Sequence, residues 1–152
     1  MTGPDSDPLA LLRSRAAAMY DRDPACQSAG ISLDEIGVGR AVMSMPITAA
    51  MVNGHGIAHG GYVFLLADSA FAYACNSYGP VTVAQSAQVT FLRPAAVSDR
   101  LRAEAVERVR FGRNGIYDVT VTAAGGAVVA EFRGHSVMLS APPPEEEGDA
   151  HA

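Results

Sequence analysis

His59-Gly60-Gly61-Tyr62-Val63-Phe64-Leu65-Leu66-Ala67-Asp68-Ser69-Ala70-Phe71-Ala72-Tyr73-Ala74-Cys75-Asn76-Ser77 is the stretch on which the fold turns. From about Gly61 to Ser77 it is apolar, Ala-rich and free of Pro, long enough for a helix of about four to five turns. Apolar side chains lie nearly all round that helix, so it must be buried on most faces. Gly79-Pro80 stops it. It carries a charge, so it reads as a buried helix and not as a membrane span.

Downstream come β-type runs over Val81–Leu92, Leu101–Phe111, Ile116–Ala123 and Ala127–Leu139. Turn signals separate them at Pro94–Asp99, Gly112–Gly115 and Gly125-Gly126. The last of these is a two-residue hairpin signal. Upstream, Met51–Gly61 is a Gly- and His-rich loop. Before it, Val42, Met43, Met45 and Ile47 mark one strand, ending at Thr48, in the extended stretch that opens at Ile31. At the start, Asp5-Ser6-Asp7-Pro8 caps a short helix that ends near Tyr20, ahead of Asp23-Pro24. A sheet of this kind needs apolar cover on one face, and the central helix supplies it. The expected fold class is α+β, an antiparallel sheet wrapped round a long helix. Residues 1–30 form an N-terminal helix and connector, 31–141 the domain, and 142–152 a disordered acidic tail with three Pro and three Glu.

Composition excludes several function classes. The net charge is −5, and a nucleic-acid surface normally needs a clustered basic face. All eleven basic side chains are Arg, so a Lys nucleophile, a Lys Schiff base and a P-loop Lys are excluded. Cys26 and Cys75 provide neither a disulfide framework nor zinc-ligand spacing. His55 and His59 have i, i+4 spacing but no third ligand, so no metal and no cofactor are expected. The first residues lack the basic and apolar blocks of a signal peptide, so a cytoplasmic location is expected.

Asp68 is the only Asp, Glu, Arg or His between Gly60 and Pro80. A buried, unpaired carboxylate costs several kcal/mol, so it needs a partner, a raised pKa or a wet cleft. It reads either as a nucleophile or general base, or as an acid bonded to hydroxyls or to an opposing helix at a dimer contact. His59-Gly60-Gly61 opens the same helix. Helix starts present free N–H groups and partial positive charge, and Gly lets another molecule approach closely. Such a start can hold a developing oxyanion. Gly60 and Asp68 are separated by roughly 12 Å along the axis, whereas reacting atoms must approach to about 3–3.5 Å. If both act on one substrate, Asp68 must come from a second chain, across a two-fold axis.

Asn53-Gly54-His55-Gly56-Ile57-Ala58-His59-Gly60-Gly61 followed by Leu66-Ala67-Asp68-Ser69-Ala70-Phe71-Ala72 resembles the PaaI branch of hotdog thioesterases, linked to phenylacetic acid degradation. So do Asn76-Ser77, Phe91-Leu92-Arg93-Pro94-Ala95 and Gly112-Arg113-Asn114-Gly115-Ile116-Tyr117-Asp118-Val119. The match spans roughly Ile31 to Leu139. The resemblance implies a hotdog fold and hydrolysis of aryl-acyl-CoA, with hydroxylated phenylacetyl-CoA as substrate type. It also implies dimers that pair into tetramers. It implies Asp68 as catalytic acid, Gly60 as backbone donor to the thioester oxygen, Asn53 and His59 as polar residues beside it, and Ser69, where the family often has Thr, as an orienting hydroxyl. Gly61 joins them on the substrate side.

CoA phosphates call for Arg, which binds phosphate through paired donors. Residues 81–140 hold seven Arg against five acids. Arg93, Arg110 and Arg113 are the candidates, with Arg108 on the same strand face as Arg110. Competing readings are a thioesterase for medium- or long-chain acyl-CoA, a non-catalytic acyl-CoA sensor and an acyl-CoA hydratase.

Overall fold

The computed structural model describes residues 7–139. The tail at 142–152 and the start of the predicted capping segment lie outside them. The first helix, α1, spans Pro8–Asp21, with the Asp7 carboxylate accepting the Leu9 N–H at 3.0 Å. A second, six-residue helix, α2 (Pro24–Ala29), is capped by Asp23 and ends on Gly30 at φ 70°. It is too short to show a helical period, and the sequence reading places only a connector there.

The extended stretch read as one strand is a hairpin. Strand β1 (Ser32–Gly37) pairs antiparallel with β2 (Arg40–Pro46). Asp34 and Glu35 dilute the apolar pattern of β1, which hides it beside the buried run from Ala41 to Met45. The long helix α3 covers Gly60–Cys75, within two residues of expectation at each end, and a 3-10 turn over Asn76–Tyr78 follows it. Strands β3 (Thr82–Phe91), β4 (Arg100–Phe111), β5 (Asn114–Thr122) and β6 (Val128–Met138) complete a six-stranded antiparallel sheet in the order β1-β2-β4-β5-β6-β3.

Alternation aims the sheet at the helix. In β5, Gly115, Tyr117, Val119 and Val121 are buried while the residues between them are half-buried. Phe71 of α3 meets Tyr117 edge-on at 5.6 Å, and Phe64 meets Phe132 at 5.5 Å. Gly134 of β6 makes room for Phe71: a Cβ there would stand 2.8 Å from the ring. Asn76 ties the far end of α3 to the sheet. Its amide donates to Ala72 and Thr82 carbonyls at 2.8 and 2.9 Å and its Oδ1 accepts the Thr82 N–H at 2.9 Å.

Among the described residues, two surfaces next to each other in the fold are open in the single chain: the edge of β3 and one stripe of α3. Strand β3 is bonded to β6 on one side only. Its ten residues include no charge and no Pro, and all but Thr82 and Val89 are exposed. Natural edges of this length are usually protected by charge, Pro or cover. On α3, Gly61, Leu65, Asp68, Ala72 and Asn76 form a stripe at helical spacing that the sheet leaves partly open, whereas Val63, Leu66, Ala67, Ala70, Phe71 and Ala74 are buried. No helix among the described residues is long and apolar enough to cross a membrane.

Candidate active site

The N-terminus of α3 is built by its own cap. His59 has extended backbone (φ −62°, ψ 134°), and its Nδ1 accepts the Gly61 N–H at 2.9 Å. The His59 N–H donates to the Met51 carbonyl at 2.7 Å, and Ala58 donates to Ala95 at 2.8 Å, which fixes the loop against the sheet end. Because His59 takes the Gly61 amide, the unbonded donor of the first turn is Gly60, whose N–H bonds no group among the described residues.

Asn53 organises the loop ahead of the helix. Its N–H donates to Ile57 at 2.8 Å, its carbonyl accepts from Gly56 at 3.0 Å, and its Oδ1 accepts the His55 N–H at 2.9 Å. The Nδ2 group makes no hydrogen bond within the described residues. Asn53 and Gly60 share a cavity of about 430 Å³ with Val63, Phe91, Arg93 and Val129. Phe91 lies over Gly60, with its Cζ 3.0 Å from where a Cβ would stand. Sequence reading places Phe91 in a β run and in the Phe91–Ala95 segment of the resemblance, with no role at the site. Its contact with Gly60 depends on how the end of β3 meets α3, which no local pattern encodes. Arg93 donates from Nη1 to the Val128 carbonyl at 2.8 Å beside the same cavity.

Asp68 sits half-buried in the open stripe of α3. It has no hydrogen-bond or ion-pair partner among the described residues, and burial pushes its carboxyl above the ordinary carboxylate range. Ser69 points the other way. It is 8% exposed, donates to the Leu65 carbonyl at 2.6 Å and accepts from the Cys26 thiol at 3.3 Å. Both thiols are buried, and burial raises Cys26 to about 11 and Cys75 to about 12, far from a thiolate at neutral pH. Among the described residues no group of three or more His, Cys, Asp or Glu could hold a metal ion.

Two other candidate arginines lie at the opposite end of α3. Arg110 and Arg113 gather there with Cys75, Thr82 and Met138, and Arg113 donates from Nε to the Met138 carbonyl at 3.1 Å. Strict alternation would place Arg108 and Arg110 on one face. A bulge between Glu107 and Val109 separates them instead. Arg108 lies outward, with Nε 3.4 Å from Asp118, while Arg110 turns toward the helix side with Glu107 and Tyr78. Single chains therefore hold Gly60, Asn53, His59, Gly61 and Arg93 at one end of the helix, Asp68 and Ser69 midway, and Arg110 and Arg113 at the other end.

A family model described as the thioesterase superfamily matches residues 55–130. The acyl-coenzyme A thioesterase PaaI of Escherichia coli is 44% identical over 121 residues, which is 80% of this chain and 86% of that protein. The solved structure of the E. coli PaaI protein, from the phenylacetic acid degradation operon, superposes with a TM-score of 0.83 at 41% identity, covering 85% of this chain and 94% of that one. A variant of the phenylacetic acid degradation protein PaaI from Thermus thermophilus gives a TM-score of 0.74 at 38% identity, covering 77% of this chain and 100% of that one.

Proposed function

The chain belongs to the thioesterase superfamily and is an acyl-CoA thioesterase of the hotdog fold, and we propose that it hydrolyses aryl-acyl-CoA, of the (hydroxy)phenylacetyl type, at sites shared between two chains. The observation that carries the shared site is the separation of Gly60 from Asp68 along one helix, roughly 12 Å. The open stripe around Asp68 and the uncharged edge of β3 support the pairing. A two-fold axis level with Phe64 would set Gly60 of each chain beside Asp68 of the other. Two β3 edges meeting antiparallel would cover the exposed strand at the same time. Pairing of such dimers into tetramers, and a cytoplasmic location, belong to the same proposal and follow the PaaI resemblance.

In this reading the Gly60 N–H donates to the thioester oxygen and strengthens its bond as negative charge develops. Asn53 Nδ2 supplies a second donor from the cavity wall, and His59 fixes the helix start while leaving Nε2 beside the substrate. Gly61 leaves room for that ring, since a Cβ would stand 3.1 Å from His59 Nδ1. Asp68 of the second chain takes a proton from water, or attacks the carbonyl to give an anhydride. Its desolvation makes it a stronger base than a surface carboxylate. Ser69 steadies the helix turn that carries Asp68. Arg93, Arg110 and Arg113 serve the CoA phosphates.

A panel of phenylacetyl-, hydroxyphenylacetyl-, benzoyl- and straight-chain acyl-CoAs, assayed with a thiol reagent for released CoA, tests the substrate class. The highest kcat/KM is expected on the arylacetyl members. A preference for long straight chains would overturn that assignment, and full turnover by Asp68→Asn would overturn the role of Asp68.

A further inference from the structure

At the C-terminal end of α3 four side chains form one unit. Tyr78 donates its hydroxyl to Glu107, 2.9 and 3.0 Å from the two carboxylate oxygens, and Tyr117 donates to Glu107 Oε1 at 3.0 Å. The Arg110 guanidinium lies 3.5 Å over the Tyr78 ring, and its Nε is 3.8 Å from Glu107 Oε1. Arg40, Arg102, Arg108 and Arg133 each have a carboxylate within 3.4 Å. Arg110 has none so near, because the tyrosines occupy Glu107. The result is a guanidinium held against an aromatic face, 37% exposed at its side chain. A planar donor set held in place, with only a long 3.8 Å ion pair to Glu107, is suited to a phosphate oxygen pair.

Within its own chain this unit stands near Cys75, a helix length or roughly 22 Å from Gly60. With a two-fold axis level with Phe64, the Cys75 end of one helix falls level with the Asn53–His59 loop of the other chain. We propose that Arg110 binds a phosphate of the CoA whose thioester is gripped by Gly60 of the other chain, and that Glu107, Tyr78 and Tyr117 are positioning residues that hold it there. The proposal rests on the shared-site reading. Each CoA then runs from the Gly60 grip of one chain, past its Arg93, to Arg110 and Arg113 of the chain that also supplies Asp68.

The test compares an acyl-CoA with the same acyl group on N-acetylcysteamine, which has no phosphate. Arg110→Ala should raise KM for the acyl-CoA about tenfold, the loss of one charge-assisted contact, with kcat held and the short thioester unaffected. Tyr78→Leu should shift KM the same way, and Tyr78→Phe, which keeps the ring and gives up the bond to Glu107, should recover part of it. Equal loss on both thioesters would overturn the proposal, since it would mark Arg110 as structural. Isolated mixed dimers assign the chain. A dimer of one Asp68→Asn chain and one Arg110→Ala chain should show only the raised KM. Pairing a wild-type chain with a chain carrying both substitutions should give the wild-type KM at half kcat. A wild-type KM in the first of these dimers would place Arg110 on the Gly60 of its own chain and overturn the assignment. Failure of the underlying reading looks different: Asp68→Asn homodimers would keep turnover.

Discussion

Replacing Gly60 by Pro removes the amide hydrogen of the first turn of α3 and sets the ring Cδ in its place. Gly60 is the first residue of α3 and its N–H bonds nothing among the described residues, so Pro forfeits no protein hydrogen bond. His59, at φ −62° and ψ 134°, already has the extended backbone that a residue before Pro prefers. At the Cβ the conflict is with Phe91, whose Cζ stands 3.0 Å from a Cβ at position 60. That ring is the far end of a side chain 52% exposed, so it can turn aside. The expected change in stability is within about 1 kcal/mol, close to that of an ordinary surface substitution. The expected loss in kcat is about 10²- to 10³-fold, or roughly 3–4 kcal/mol, the usual consequence of losing one oxyanion donor. Gly60→Ala is the control, because it brings the same Cβ against Phe91 and keeps the N–H. Steady-state release of CoA measured on both variants, with thermal unfolding in parallel, separates the exchange of the amide hydrogen for the ring from the bulk of the Cβ. If folded Gly60→Pro matched Gly60→Ala in kcat, the Gly60 amide would not be the donor and the grip would have to be sought elsewhere.

Burial raises Asp68, so kcat/KM should fall on the acid side along a limb centred above the ordinary value of 3.8, and Asp68→Asn should abolish that limb with the activity. The same shift has a stability consequence. A carboxyl raised by folding contributes stability below its unfolded pKa and loses it as pH rises through the folded value. Asp68→Asn should therefore raise the melting temperature near neutral pH, with the gain over wild type closing below pH 3.8; calorimetry across that range checks it, and an unchanged or lowered Tm at neutral pH would contradict the desolvation reading. Gly134→Ala drives a methyl to 2.8 Å from Phe71 in the closed core, and should destabilise by about 1–3 kcal/mol in denaturant titration, partly relieved by Phe71→Leu.

The helix and the strands after it were legible because their patterns are long: sixteen residues of α3 without Pro, and runs in β3 to β6 bounded by Gly and Pro turns. Strand β1 was hidden because its acids break the alternation, and α2 because six residues span less than two turns. At the site, Asp68 was visible as a charge in an apolar helix, and Gly60 as a helix start. What the chain order cannot display is which groups already have partners. Only the folded loop shows that His59 takes the Gly61 amide and leaves that of Gly60, and that Ser69 turns inward to Leu65 and Cys26. A single extra residue in β4 likewise sends Arg108 and Arg110 to opposite faces, an inversion that strict alternation cannot anticipate.

The central claim is that no chain completes a site by itself. Inactive Asp68→Asn dimers and inactive Gly60→Pro dimers, mixed in equal amounts and allowed to exchange, test it most directly. Half of the resulting dimers pair one chain of each kind, and each of those should hold one intact site of two, so activity should return to about a quarter of wild type. Activity that stays at the level of the two separate variants, with exchange of chains verified by differently tagged subunits, would contradict a shared site.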